Sequence, residues 1–290
     1  MKSKFLKINL KKINKKLNES QIINQFNKDG VIVIENLLST KKCNLIIDLL
    51  EKKYLKYNNF YYKDKKKISK LSSAYSAKEL YNLYNKDVKF LEFIDNPTII
   101  GLIKKLLQQG SYQNSGEIIC QDFMARTPLG AASAQQMHND SRIVGSIYPI
   151  MVNTIWALDP FTKENGATRF VLGSQKYLKF PKNGKKYENE IIIEAPAGSV
   201  MIFNSAIWHG GSAIKEEVVR RWSILIRYAR WFYKTSFDHQ KSTPNFIYNK
   251  MSKNQKDLMG FRFIAPKDEF SGNSTRQKKH TEPNSYNLPK

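Results

Sequence analysis

One tripeptide, His138-Asn139-Asp140, places an imidazole and a carboxylate two residues apart. In a β-strand, side chains at i and i+2 point to the same side, so both groups would face one site. A third ligand is available from His209, in the same half of the chain. Two histidines and one carboxylate on one face are the ligand set that binds Fe(II) and leaves positions open for a cosubstrate and O2. An isolated His-x-Asp is also found as a polar surface pair. The neighbouring sequence is therefore needed to choose between a metal site and a surface pair.

The sequence around His209 favours a metal site. A turn and an apolar stretch, 195–204, precede it, and two glycines follow it, which lets the backbone and ligands approach closely. Arg220 then opens a predicted strand, 220–232, and shares its more apolar face with Trp222. A guanidinium there needs an anion, and its fork suits the far carboxylate of a dicarboxylate cosubstrate. The alternative is that Arg220 pairs with a structural acid.

The secondary-structure elements that must position these residues are predicted to be mainly helices in the first part of the chain and strands from residue 117 onward. Helices are predicted over 18–29, 41–54 and 98–108, with a short strand at 31–34. From residue 117 onward, short apolar stretches alternate with Pro, Gly and Asn turns. The predicted strands are 117–126, 134–140, 150–158, 167–172, 191–194, 199–204 and 220–232. Helices followed by strands predict an α+β fold with a mainly β core, either a sandwich or a barrel.

Several segments resemble the phytanoyl-CoA dioxygenase family of Fe(II)/2-oxoglutarate oxygenases. They are Gln135-Gln-Met-His138-Asn-Asp140, the stretches 157–176 and 195–221, and the N-terminal Phe26-Asn-Lys-Asp-Gly30-Val-Ile-Val-Ile34. The resemblance runs in consistent order over about residues 20–232. It implies a double-stranded β-helix, a cupin-like jelly-roll barrel, surrounded by N-terminal helices.

The resemblance also implies roles for individual residues. His138, Asp140 and His209 would be the catalytic iron ligands, and Arg220 would bind the far carboxylate of 2-oxoglutarate. A carboxylate at position 140 favours C–H hydroxylation, or another outcome of hydrogen abstraction such as desaturation or ring formation, because related halogenases have a small residue there. The implied reaction consumes O2 and 2-oxoglutarate and releases succinate and CO2.

Further candidate residues surround this constellation. Gln135 and Trp156 match positions that line the cosubstrate pocket, although Trp156 would equally suit the barrel core. Arg142, Arg126 and Met124 are candidates for substrate contact, and the arginines suggest an anionic group on a small molecule. The alternative for both arginines is a solvated position at the barrel edge.

The charge of +23 does not require a polyanionic partner. Residues 1–70 carry 18 Lys and Arg against 6 Asp and Glu, and only 9 of the 48 basic residues in the chain are Arg. An AT-rich coding sequence produces such a Lys-rich composition, and nucleic-acid sites favour Arg. We therefore expect no nucleic-acid partner. Two alternatives to an oxygenase remain: a non-catalytic basic protein on the same fold, binding nucleic acid or anionic lipid, and a metal-dependent hydrolase.

The remaining expectations concern organisation and location. A single oxygenase domain is predicted over 1–235, with a helical part to about 115 and a β core over 116–235, followed by a partly loose extension, 236–290. No apolar stretch suits a membrane span, and Cys43 and Cys120 have no disulfide or metal spacing. These features predict a cytoplasmic protein, monomeric or homodimeric.

Overall fold

Short strands and helices alternate through the described part of the chain. The computed structural model describes residues 7–9, 19–62, 77–112, 117–215 and 220–262. The helices are α1 (Glu19–Asp29), α2 (Thr40–Tyr62), α3 (Pro97–Gln108), α4 (His239–Ser242), α5 (Asn245–Tyr248) and α6 (Lys253–Leu258). The strands are β1 (Lys7–Asn9), β2 (Val31–Glu35), β3 (Ala77–Tyr81), β4 (Ile118–Pro128), β5 (Met151–Ala157), β6 (Thr168–Val171), β7 (Glu190–Ile192), β8 (Val200–Asn204), β9 (His209–Gly211) and β10 (Ser223–Arg230).

The strands form two sheets. One has seven strands in the order β1-β2-β8-β5-β10-β4-β3, and the other has three in the order β7-β6-β9. β8 pairs antiparallel with both β2 and β5, and β6 pairs antiparallel with both β7 and β9, whereas β1 runs parallel to β2. The predicted jelly-roll class of fold is confirmed, with two open sheets in place of one closed barrel.

The chain divides into two compact units. The first comprises the residues up to Leu80 together with Met124–Leu225, and the second comprises Tyr81–Phe123 together with the residues from Ile226 onward. β4 and β10 each pass from one unit into the other, so neither unit is a continuous stretch of sequence. The prediction of a single domain over 1–235 stays a prediction.

The core of the first unit lies between the two sheets and identifies the inward face of each strand. It combines residues of both sheets, namely Val31, Val33, Ile155, Ala157, Phe161, Ala167, Phe170, Leu172, Ile193, Ala195, Met201, Phe203 and Ile207. Leu225 of β10 packs against this cluster. Because side chains alternate along a strand, Ile155 and Leu225 mark the inward faces of β5 and β10. The neighbouring even-numbered residues therefore face outward.

Most predicted elements are present with small shifts at their ends. The predicted strand 134–140 is different, because His138 makes only an isolated bridge with His209. Three short strands were missed. β1 and β9 span only three residues, and β3, with the sequence AKELY, carries residue types that are typical of helices. Cys43 and Cys120 are buried free thiols, as their spacing predicts.

The described part of the predicted C-terminal extension forms three short helices. Its described residues, 236–262, carry α4, α5 and α6, and the capping box of Ser252 and Gln255 starts α6. The rest of that extension, 263–290, lies outside the described residues.

Membrane-spanning helices are not found: among the described residues, no helix combines the length and the apolar character that crossing a bilayer requires.

A buried histidine holds α4 within the second unit. His239 is fully buried, and its Nε2 lies 3.0 Å from the Cys120 carbonyl oxygen, to which it donates. Its Nδ1 accepts from the Tyr84 hydroxyl at 3.1 Å, and that hydroxyl lies 2.5 Å from Ser242 Oγ. This network requires a neutral imidazole, and burial lowers the pKa of His239 to about 4.

This network predicts acid sensitivity of the fold. An unfolded histidine has a pKa of about 6.5, so the neutral His239 stabilises the protein fully above that pH. The contribution is lost as the pH falls toward the folded pKa of about 4, by roughly 3 kcal/mol in total. Urea unfolding between pH 7.5 and 4.5 should show a midpoint that falls with acidification in the wild type. His239→Gln should lower the midpoint at pH 7.5 and flatten its dependence on pH, and an unchanged slope would contradict this role of His239.

Candidate metal centre

The first unit brings the three predicted ligands together. One ligand atom each from His138, Asp140 and His209 lies within 4.8 Å of the other two. The Asp140 carboxylate oxygens lie 3.7 Å from Nε2 of His138 and 3.5 Å from Nε2 of His209. Donors about 2.1 Å from one metal ion lie about 3.0–3.5 Å from each other, so a small contraction closes the site around an ion.

Backbone hydrogen bonds hold the three ligand residues next to each other. The N–H of His138 donates to the carbonyl oxygen of His209, and the N–H of His209 donates to that of His138, both at 2.9 Å. The backbone N–H of Asp140 donates to the Ser205 carbonyl at 2.8 Å. The bend between His138 and Asp140 thus keeps both side chains facing His209.

Both imidazoles are oriented for metal binding through Nε2. Nδ1 of His138 lies 3.0 Å from the Gln136 carbonyl oxygen, and Nδ1 of His209 lies 3.0 Å from that of Ile207. A carbonyl accepts only from a protonated nitrogen, so each Nδ1 carries the hydrogen and each Nε2 keeps its lone pair. Metal-bound histidines in proteins are commonly held in this way.

Two buried polar residues hold the carboxylate ligand. Asn153, on the inward face of β5, donates from Nδ2 to Oδ2 of Asp140 at 2.5 Å. Ser205 Oγ in turn donates to Oδ1 of Asn153 at 2.7 Å. The second carboxylate oxygen, Oδ1, faces His138. Asn153 and Ser205 were not predicted as site residues. A polar residue on the inward face of an apolar strand is a signal that could have identified Asn153.

The metal centre has one apolar side and one open side. The Phe203 and Phe170 rings lie 4.9 and 5.9 Å from the His209 ring, and all three side chains are buried. The His138 side chain, in contrast, is 46% exposed. Substrate access is therefore from the His138 side, while the Phe203 side excludes water.

The guanidinium group of Arg221 faces the interior of the first unit. Arg221 has the same odd-numbered register as Leu225, and its guanidinium carbon lies 4.3 Å from the centroid of the Phe161 ring, which is part of the core. Its Nε is buried and has no hydrogen-bond partner among the described residues. Burial, and then the nearby charge of Arg126, lowers the pKa of Arg221 to about 10. A half-buried cation whose buried Nε has no partner requires an anion.

Arg220, unlike Arg221, forms an ion pair with Asp159. Its Nε is 3.1 and 3.2 Å from the two Asp159 carboxylate oxygens, and one terminal nitrogen is 2.8 Å from Oδ1. Asp159 also accepts from the backbone N–H of Trp222, and the Arg220 side chain is 54% exposed. The prediction that Arg220 binds the cosubstrate does not fit this placement, whereas the alternative, a pair with a structural acid, does.

The physical reason is that both faces of β10 are buried. Trp222, on the face of Arg220, donates its indole N–H to Glu51 of α2 at 2.7 Å. This hydrogen bond places α2 beside the outward side of the strand. The more apolar face of this strand is consequently not the face toward the site.

Gln135 and Trp156, the other two predicted cosubstrate contacts, lie in different positions relative to the metal centre. Gln135 lies beside β9, and its side-chain oxygen accepts from the Gly211 backbone N–H at 2.9 Å. Trp156 lies on the outward face of β5, opposite to Asn153 and Ile155, and donates its indole N–H to Thr154. The prediction of a pocket position for Trp156 does not fit, because alternation along β5 points this ring away from Asp140. The alternative of a core position fits.

The predicted substrate residues are separated. Arg142 follows Asp140 in an exposed loop with φ of 53°, and it makes no hydrogen bond or ion pair with any described residue. Arg126 lies 3.4 Å from Glu79, and Met124 is buried in β4. Of the three, only Arg142 is in a loop next to a metal ligand.

The fold and the donor set together define a class. Two largely antiparallel sheets carry two histidines and one carboxylate, oriented through Nε2 and held by second hydrogen bonds, with a half-buried arginine facing the same interior. This is the construction of an Fe(II)- and 2-oxoglutarate-dependent dioxygenase, with iron as metal and 2-oxoglutarate and O2 as cosubstrates.

Comparison with known proteins agrees with this class. The family model described as phytanoyl-CoA dioxygenase (PhyH) matches residues 26–222, and the chain belongs to this family. Dioxygenase olcK of Penicillium canescens is 25% identical over 81% of this chain and 78% of its own length. The Fe(II)/2-oxoglutarate-dependent dioxygenase nvfF of Aspergillus novofumigatus is 28% identical over 67% of this chain and 66% of its own. HygX from Streptomyces hygroscopicus, solved with nickel and 2-oxoglutarate bound, has a TM-score of 0.56 at 12% identity, over 76% of this chain and 89% of its own, which shows a shared fold.

Proposed function

We propose that this dioxygenase hydroxylates an unactivated C–H bond of a small organic molecule. His138, Asp140 and His209 would hold the iron, and Arg221, in place of Arg220, would bind the far carboxylate of 2-oxoglutarate. Bound Fe(II) supplies the activation of O2, and 2-oxoglutarate supplies two electrons and leaves as succinate and CO2. One oxygen atom then enters the substrate as a hydroxyl group and the other enters succinate.

The unpaired guanidinium of Arg221 is the observation that supports this proposal most directly. A metal hydrolase needs the metal ligands but has no use for a buried cation that binds a dicarboxylate. A non-catalytic basic protein needs neither the Nε2 orientation of two histidines nor the Asn153–Asp140 hydrogen bond. The oxygenase reaction uses all of these features.

The remaining side chains of the site would position and shield the reactants. Phe161 and the Phe170–Phe203 pair keep water from the interior side. Gln135 has its amide oxygen engaged by Gly211, so its amide N–H groups remain for the cosubstrate. Arg142, exposed beside Asp140, supports a substrate with an anionic group. A cytoplasmic location is also proposed, on composition alone.

Cofactor binding and succinate release test the proposal together. Under anaerobic conditions, Fe(II) followed by 2-oxoglutarate should give a visible charge-transfer absorption, and zinc in place of iron should give none. With O2, succinate should form and should rise with the correct member of a small-molecule panel that includes acidic and neutral compounds. Fe(II) binding without any response to 2-oxoglutarate would contradict the oxygenase reaction. Hydrolysis of an ester panel by the zinc form would favour the hydrolase.

A further inference from the structure

Two loops beside the metal centre expose large apolar side chains. We define the apolar rim as the exposed residues of loops 141–150 and 174–187 that are aliphatic or aromatic: Ile143, Ile147, Tyr148, Tyr177, Leu178 and Phe180. Ile147 is 90% exposed and Leu178 is 80% exposed. Single exposed apolar residues are ordinary, but several on adjoining loops mark an interaction surface.

The two loops are in contact and are anchored to the fold. A Cβ atom at Gly145 would lie 2.6 Å from Leu178 Cδ2, and the φ of Gly145, +73°, favours glycine at this position. Tyr177 packs edge-on against Trp208, with ring centroids 5.1 Å apart. The two loops of the apolar rim therefore lie side by side.

Hydrogen bonds connect the apolar rim to the metal centre. The carbonyl oxygen of Ile143 accepts from Nδ2 of Asn139 at 3.3 Å and from Oγ of Ser141 at 3.1 Å. These two donors flank Asp140 in the chain. The rim consequently begins at the metal ligand itself.

The second loop of this surface is mainly basic. The segment 172–189, between β6 and β7, contains five exposed lysines, Lys176, Lys179, Lys182, Lys185 and Lys186, and one acid, Glu188. Loop 141–150 contains no acid. Lys179 and Lys185 lie over the Tyr177 and Tyr187 rings, at 5.9 and 5.8 Å from the centroids.

We propose that the apolar rim docks on the surface of an anionic lipid bilayer. Ile147 and Leu178 would enter between the lipids, and the lysines of 174–187 would lie among the negatively charged headgroups. Protruding aliphatic side chains flanked by lysines suit a bilayer, since each basic group is attracted to the anionic surface. A nucleic acid is less suited, because the two most exposed rim side chains, Ile147 and Leu178, are aliphatic and cannot stack on bases, and residues 174–187 contain no arginine.

Vesicle binding of matched variants tests this proposal. The full chain should sediment with phosphatidylcholine vesicles that contain phosphatidylglycerol and should not sediment with phosphatidylcholine alone. Raising NaCl from about 0.1 to 0.5 M should weaken binding, because the charges are screened. The double variant Ile147→Ser/Leu178→Ser should bind at least about tenfold more weakly, since two buried apolar contacts are lost. Leu55→Ser is the matched control, because Leu55 is 71% exposed on α2, outside the rim.

The other outcomes are equally defined. Equal weakening by the double variant and by Leu55→Ser, or no binding to the anionic vesicles, would overturn the proposal. A concentration-dependent dimer in light scattering that the double variant abolishes would assign the rim to a second copy of the chain. Tighter binding of a single-stranded oligonucleotide than of the vesicles, lost in Lys179→Ala/Lys182→Ala, would assign the loop to nucleic acid. Anaerobic Fe(II) binding by the double variant should stay at the wild-type level, which separates a failed docking surface from a failed metal centre.

Discussion

Asp140→Ala should abolish Fe(II)-dependent succinate formation, with a loss of at least about 1,000-fold, because two imidazoles alone do not hold the iron in the ordered geometry that the reaction needs. The carboxylate is the ligand that faces both Nε2 atoms, at 3.7 and 3.5 Å. Its removal also leaves the Asn153 amide N–H without an acceptor. Turnover and anaerobic Fe(II) titration of the same preparation are the measurements.

Matched variants separate loss of the ligand from loss of the fold. Asp48→Ala removes an exposed carboxylate from α2 and should leave succinate formation unchanged. Asn153→Ala keeps the carboxylate but removes its hydrogen bond, and should weaken Fe(II) binding by about 10- to 100-fold. Wild-type Fe(II) affinity in Asp140→Ala, with an unfolding midpoint like that of Asp48→Ala, would show that Asp140 is not a ligand.

Arg221→Ala should raise the KM for 2-oxoglutarate by about 100-fold, because a buried guanidinium that pairs with a carboxylate contributes several kcal/mol. The Fe(II) affinity should change little, since Arg221 contacts none of the three ligands in the described structure. Steady-state succinate formation over a range of 2-oxoglutarate concentrations measures this effect. Arg221→Lys should recover part of it, as one ammonium group cannot form the double hydrogen bond.

The neighbouring arginine provides the control for this prediction. Arg220→Ala removes a half-exposed guanidinium from its ion pair with the buried Asp159 carboxylate and should lower the free energy of unfolding by about 1–3 kcal/mol. Asp159 keeps its hydrogen bond from the Trp222 backbone. The KM for 2-oxoglutarate should therefore stay within about twofold of the wild type. A larger increase of this KM in Arg220→Ala than in Arg221→Ala would return the cosubstrate role to Arg220.

The metal ligands could be predicted from the sequence because their spacing is local. His138 and Asp140 are two residues apart, and His209 stands between an apolar strand and two glycines. Strand periodicity and ligand chemistry depend on near neighbours, so they are readable without the fold. The family resemblance extended the same order of motifs over most of the chain. The helices and most strands followed from local patterns in the same way.

The tertiary structure decided which face of each strand points to the site. Arg220 was predicted because it shares the more apolar face of its strand, and Trp156 because it matches a position of the family, but both lie on the outward side in this structure. Asn153 and Arg221 face the interior because of the register of β5 and β10, and one residue of register exchanges the two faces. Register is set by pairing between strands that are distant in sequence. The sequence by itself therefore identified the three candidate iron ligands, and only the folded sheets determined which of two adjacent arginines faces the interior.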